Sequence, residues 1–418
     1  MVGAAVVVPL VFSTTSNDSF RLPKLLVLRA AAILVLAVLL AFLQRQEWSQ
    51  LVPTLARPEV RIAFLVAGWA AFTQVLAARP AQARGATISI ACAAVLFIAT
   101  RCFAASWRPR LLDWLMIPAV LNAGLYLLQE LRVWTPFRLP SALGHTGNGA
   151  LLGNPNDVGV YLVPVTLAAG ALAAAATGAA RRRVYLPIAV LLAATACASQ
   201  TLTAMVALAA GLVTLMLVAF RRRAALGIGL LCLMLAAGAL WLAPMRHRLD
   251  EAVRRARTGD LNLVLSGRMP SFLAAWEMFR RNPMTGVGPG AFAGEYFAYR
   301  LRSDARYPRL AHWSPELGAP LNFGEVHSDQ LQVLAEQGVI GYALLLGGLV
   351  ILARRSLARR HESESEAERF ARYLAAPLAV AAWTLALAQF PFQLAAFTVT
   401  FVVLAAVCLA WGPEAAVE

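Results

Sequence analysis

Apolar residues in this chain come in long blocks divided by short polar breaks, with little interleaving of the two. Most blocks run about 18 to 22 residues, the length an α-helix needs to cross a hydrocarbon core of roughly 30 Å. The blocks predict twelve helices, near 3–15, 24–43, 60–78, 86–105, 111–130, 157–178, 184–200, 202–220, 224–244, 329–353, 372–389 and 391–412. The expected fold is therefore all-α and polytopic in the membrane, each spanning helix satisfying its own backbone where no water can. One stretch breaks the pattern. Residues 245–328 hold no block long enough to span, yet they carry Trp276, Phe279, Phe292, Tyr296, Tyr299 and Trp313 among their charges, a mixture that folds. Within it, Phe272, Ala275, Trp276 and Phe279 recur at helical spacing after Pro270, predicting a short amphipathic helix along the membrane surface. The chain thus divides into helices one to nine (1–244), a loop domain (245–328) that caps the bundle, helices ten to twelve (329–412) and a tail (413–418).

Composition agrees with this reading: 60% of residues are hydrophobic and 14% charged, where a soluble domain is about a quarter charged. The net charge of +15 could suggest nucleic acid, but most arginines sit in short clusters between apolar blocks, as the positive-inside rule requires. Arg108/Arg110, Arg181 to Arg183, Arg221 to Arg223, and Arg354/Arg355 with Arg359/Arg360 all fall on one side of a twelve-helix chain. That side is expected to be cytoplasmic, with both termini on it and the long loop outside. Arg79 and Arg84 dissent, which means misplaced third and fourth helices or charges that meet an anionic ligand. The stretch from Val2 to Phe12 resembles a signal h-region but lacks a basic n-region and a cleavage site, so it reads as a first helix. All five cysteines fall inside apolar blocks without metal-ligand spacing, so neither a disulfide framework nor a metal site is expected.

Charge is nearly absent from the middles of the blocks, where an ion-coupled transporter usually places ionisable groups. Polar residues gather instead at the outer block ends, pointing to a site at the outer face within reach of a lipid head group. Lys24, the sole lysine beside 36 arginines, opens the second helix. It could meet lipid phosphates there or snorkel to the interface. Asn154 and Asn156 suit a turn and helix cap, with sugar or phosphate contact as the lesser alternative. Gly286, Gly288 and Gly290 have a phosphate-loop look, but no strand precedes them. Arg268 precedes the helix that Pro270 starts, where the dipole disfavours a cation, so a structural role does not explain it. Arg280 and Arg281 end that helix, where basic residues are ordinary. His327 lies just before the helix that re-enters the membrane, in Gly324-Glu-Val-His-Ser-Asp-Gln-Leu-Gln-Val-Leu-Ala-Glu-Gln-Gly-Val-Ile-Gly341. The helix dipole there favours neutral imidazole, a proton acceptor; alternatively Ser328 or Asp329 caps the helix and His327 is a bystander.

This last stretch resembles the H-x-D-x-L-Q-x-L-x-E-x-G-x-x-G signature of the O-antigen ligase and polymerase superfamily. Ser266-Gly-Arg-Met-Pro with Trp276, and Asn282-Pro-Met-Thr-Gly-Val-Gly-Pro-Gly290, are similar to that family's R-x(7)-W block and P-x-x-G-x-G turn; Gly153-Asn-Pro-Asn-Asp157 is similar to its G-N-P-N element. The likeness runs over roughly residues 130–345. It implies a GT-C-like membrane glycosyltransferase that moves O-antigen from undecaprenyl diphosphate to lipid A-core at the periplasmic face of the bacterial inner membrane. Neither cofactor nor metal is implied. His327 would deprotonate the acceptor, Arg268 would hold the diphosphate, and inversion would follow from single displacement. Many relatives carry an arginine near the start of the eighth helix, where this chain reads Ser199-Gln-Thr-Leu-Thr-Ala204. Arg138, Arg300, Arg302 and Arg306 are available to replace it, and Lys24, Asn154 and Asn156 to contact the head group. An O-antigen polymerase, a protein oligosaccharyltransferase and, from another class, a lipid-linked sugar flippase are the rival readings; the flippase would line a central cavity with charge.

Overall fold

A computed structural model describes residues 1–16, 18–44, 48–104, 107, 109–134, 148–220, 250–251, 253–310, 323–358 and 363–411. The ninth expected helix (224–244), Arg138, Trp313 and the tail lie outside the described residues. Those described form an all-α polytopic membrane protein. Its elements are α1 (Val2–Val7), α2 (Arg21–Gln44), α3 (Trp48–Leu55), α4 (Pro58–Leu76), α5 (Pro80–Phe103), α6 (Asp113–Glu130), α7 (Pro155–Ala175), α8 (Ala179–Ala198), α9 (Leu202–Phe220), α10 (Leu261–Val264), α11 (Met269–Arg281), α12 (Phe292–Arg306), α13 (Asp329–Arg354), α14 (Glu366–Ala388) and α15 (Ala395–Ala410). Eight of the described helices are long and apolar enough to cross a membrane.

The first expected helix, 3–15, is much shorter than read. Six residues of α-helix give way to a single 3₁₀ turn over Val8–Leu10, because Pro9 has no N–H to continue the ladder. At about 1.5 Å per residue the element cannot span a bilayer, so one of the twelve expected crossings falls away. The short helix α3, with Pro53 inside it, was not expected.

Two ends of the bundle are distinguished by their side chains. At one, Arg101 pairs with Glu59 at 2.9 Å, Arg181 with Glu366, Arg369 donates to the Ala175 carbonyl and Arg355 to that of Trp411. At the other, the start of α2, the start of α7, the end of α14 and the start of α13 meet the loop domain. The described arginines of the clusters, Arg110, Arg181 to Arg183, Arg354 and Arg355, therefore lie at the end opposite the loop domain; Arg108, Arg221 to Arg223, Arg359 and Arg360 lie outside the described residues. Arg79, at the start of α5, bonds the Gly294 carbonyl at 3.3 Å and pairs with Glu295 at 3.5 Å. The dissenting charge serves to dock α12, and α4 and α5 stand close to where they were expected.

α7 is the most enclosed of the spanning helices, packed against α8, α9, α14 and α15. Its run of alanine and glycine lets neighbouring backbones approach, since lipid offers no hydrophobic drive for helix association and close packing must supply it. On the loop side, α11 forms where Pro270 starts a helix. Ala274, Ala275 and Met278 are its buried face, joined to Phe292, Tyr296, Tyr299, Phe323, Val326 and Ala335 in a small core of their own. Trp276, on another face of α11, remains 43% exposed. Buried Glu277 accepts from both Arg280 and Arg281, and these bonds hold its carboxyl at about 2, which accounts for the two arginines that end α11.

Candidate active site at the loop-bearing end

The signature stretch folds as a clamp between loop and bundle. Ser328 caps α13, accepting from the Leu331 N–H, and its hydroxyl donates to the Ala386 carbonyl. Asp329 accepts from the Phe392 N–H at 2.8 Å and the Gln393 side chain at 3.4 Å. Gln332 accepts from the Val326 N–H. Buried Glu336 accepts from Gly290 N–H at 2.7 Å, Phe292 N–H at 3.2 Å and the Gln332 amide at 3.1 Å. The glycine-rich turn thus seats on α13. A Cβ on Gly286 would stand 2.2 Å from the Glu336 backbone, and one on Gly338, where α13 kinks at φ +67°, would stand 2.2 Å from the Met284 carbonyl oxygen. Each of these residues has a structural task.

His327 is the exception. It precedes the cap, adopts φ +62°, and its buried Nδ1 has no hydrogen-bond partner. Phe323 and Phe390 hold the ring edge-on at centroid distances of 5.8 and 5.1 Å. Burial, and then the charges of Arg268 and Arg21, lower its pKa from 6.5 to about 4. The imidazole is therefore neutral at pH 7, chiefly because it is buried and then because two guanidinium groups stand near it. A non-glycine residue held at positive φ costs on the order of 1–3 kcal/mol, which persists only where the surroundings enforce it.

Arg268 occupies the N-cap position of α11 without making a capping bond. Its Nη1 donates to the Ala388 carbonyl at 3.0 Å, at the end of α14 where carbonyls are otherwise unpaired. Among the described residues no carboxylate pairs with it. Burial alone pulls the guanidinium below its ordinary range. Ser271, one turn into α11, donates to the Val326 carbonyl at 3.0 Å, tying the arginine's helix to the residue before His327.

The other residues singled out from sequence are placed differently. Lys24 is 4% exposed and donates to three carbonyls, Val11 and Leu151 at 2.6 Å and Phe20 at 3.2 Å. All three ammonium protons are used, so it staples the N-terminal segment to the loop before α7. Asn154 caps α7 by accepting from the Asn156 N–H, and the Asn156 side chain accepts from Thr201 at 3.0 Å. The Ser199–Thr201 corner is thus tied to α7. Arg300 lies near the Tyr296 hydroxyl and Asp304, and Arg302 and Arg306 stack over Tyr299 and Tyr307.

Arg21, which no motif marked, lies in the site. Its guanidinium bonds Glu325 at 3.1 Å and Asp157 at 3.5 Å, and stands 5.1 Å over the Phe390 ring that touches His327.

Residues 187–346 match the family described as O-Antigen ligase. Over these residues the chain is similar to the O-antigen ligase family. The match runs from within α8 to within α13, so it takes in Arg268, the loop core, Glu325 and His327, whereas Arg21 and Asp157 come from helices before it. That likeness points to a glycosyltransferase-like ligase or polymerase, and the family suggests lipid-linked polysaccharide substrates and a membrane setting. No curated protein matches the chain.

Proposed function

We propose that the protein is a bacterial inner-membrane glycosyltransferase of the ligase type, transferring O-antigen polysaccharide from undecaprenyl diphosphate to lipid A-core. The observation that carries this reading is a neutral, unpartnered imidazole at the mouth of the bundle beside an arginine that no described carboxylate neutralises. The arginine-rich end faces the cytoplasm by the positive-inside rule, which makes the loop-bearing end periplasmic. Residues 245–328 then form the periplasmic domain over the helices on either side.

The chemistry follows from the two groups. An acceptor hydroxyl attacks the anomeric carbon, its proton passes to the His327 imidazole, and the bond to the diphosphate breaks with its electron pair on the leaving oxygen. Arg268 meets the charge that builds there, its planar fork suiting a phosphate bidentately. A single displacement inverts the anomeric centre. The energy of the sugar–diphosphate bond drives transfer, so no nucleotide takes part and the reading routes no step through a metal ion.

Deleting the gene and resolving lipopolysaccharide on a gel tests the assignment. A ligase leaves bare core, with finished polymer retained on its lipid carrier. A core bearing one repeat would assign the protein as the polymerase instead, and an unchanged ladder would overturn both.

A further inference from the structure

Beside His327 lies a second feature that neither the diphosphate nor the base explains. A cavity of about 250 Å³ opens between the start of α2, the first turns of α7 and the 393–397 turn, with Arg21, Asp157, Tyr161, Glu325 and Gln393 among its lining. Pockets for drug-sized ligands run about 300–1,000 Å³, so this one suits a single ring. Tyr161 is 1% exposed and its hydroxyl has no hydrogen-bond partner. A buried hydroxyl left unpaired is destabilising, and native structures rarely keep one without a reason.

The lining does not suit an anion. Asp18, Asp157 and Glu325 outnumber the two cations, and Lys24 has no proton to offer because three carbonyls hold them. Asp157 and Glu325 each give an oxygen to Arg21, and a carboxylate retains further lone pairs for other donors. Such a lining fits a ring bearing several hydroxyl groups: carboxylates accept, Arg21 donates and the tyrosine hydroxyl does either. Position agrees with this. The Phe390 ring bridges Arg21 and His327, lying 5.1 Å from each. Arg21, on the cavity wall, stands close enough to His327 to act on its charge, as Arg268 does.

We infer that this cavity is the acceptor-saccharide subsite, with Glu325, Asp157 and Tyr161 meeting hydroxyl groups of the sugar ring that receives the polymer. The inference rests on the glycosyl-transfer reading and assigns the two substrates to opposite sides of His327: diphosphate toward Arg268, acceptor ring toward Arg21.

The test is a binding measurement on full-length protein in lipid nanodiscs. The two probes are deacylated lipid A-core oligosaccharide and undecaprenyl diphosphate, titrated against wild type, Tyr161→Phe and Glu325→Gln. Tyr161→Phe should melt at or above the wild-type temperature without ligand, since it removes an unpaired group, yet bind the oligosaccharide about tenfold more weakly. Glu325→Gln should weaken the oligosaccharide by a similar factor. Undecaprenyl diphosphate should bind all three within about twofold. Equal oligosaccharide affinity for both variants and wild type, loss of the diphosphate instead, or no oligosaccharide binding by wild type would each overturn the subsite. Oligosaccharide binding that falls as expected, in a protein that transfers nothing from a lipid-linked donor, would keep the subsite and remove the glycosyl-transfer reading.

Discussion

Arg268 and His327 act within the same few residues of structure but should fail in different ways. The contact proposed for Arg268 is a two-pronged one, so lysine keeps the charge and loses the geometry. Arg268→Lys should lower transfer markedly and Arg268→Ala nearly abolish it, measured with purified donor and acceptor; equal, near-normal rates would move the diphosphate to another cation. For His327 the sign of the pH dependence follows from its surroundings. Neutral imidazole is the active form, and burial with two guanidinium groups lowers the pKa to about 4. kcat/KM, which reports the free enzyme, should therefore stay flat as pH falls through 6.5 and decline only toward 4. The bound diphosphate stabilises imidazolium, so the acid limb of kcat should lie higher. A limb near 6.5 in kcat/KM would mean the imidazole is solvated. His327 was singled out because the stretch around it resembles a family signature; its place before a membrane-entering helix alone left a bystander role open. Arg21 was not: it is one arginine among 36, and its partners Asp157 and Glu325 lie 136 and 304 residues away in sequence. Lys24 drew notice for its rarity, but its acceptors are backbone carbonyls, which no side-chain pattern reveals.

At the scale of elements, apolar block length located the long helices because the bilayer fixes it, and positions near Leu202 and Asp329 were found directly. What the blocks do not encode is whether a short apolar run crosses. Residues 3–15 looked like other blocks, and Pro9 turned the run into six residues of helix. The signature stretch was legible as a motif but not as a clamp, since Glu336 reads as an acid near a membrane until the Gly290 and Phe292 N–H groups are seen to bond it. The kink at Gly338 provides a direct test of the clamp. A side chain there meets the Met284 carbonyl oxygen in a backbone conformation that glycine alone adopts readily. Gly338→Ala should cost at least about 1–3 kcal/mol, seen as a lower melting temperature in detergent and reduced accumulation. Gly324→Ala, with open space at its Cβ, should change neither. An unaltered melting temperature for Gly338→Ala would show that loop and helix are not locked there.

The whole molecule is a bundle with charge at both ends and a folded cap at one, and its orientation decides which substrates it can reach. Ala305 is exposed on the loop domain and Ser363 is exposed at the opposite end. In intact cells a membrane-impermeant thiol reagent should label Ala305→Cys and spare Ser363→Cys; the reverse would put the site in the cytoplasm and remove both proposed substrates. In the proposed mechanism an imidazole at this face takes the acceptor proton. The measurement that tests it most directly is the transfer rate of His327→Ala, in nanodiscs with lipid-linked O-antigen and lipid A-core, beside its undecaprenyl diphosphate affinity. General-base help is typically worth about 10² to 10⁴ in rate, so transfer should fall by that order while affinity and melting temperature stay near wild type. Near wild-type turnover, or a loss that follows only from protein failing to fold, would contradict the claim and leave His327 as packing between Phe323 and Phe390.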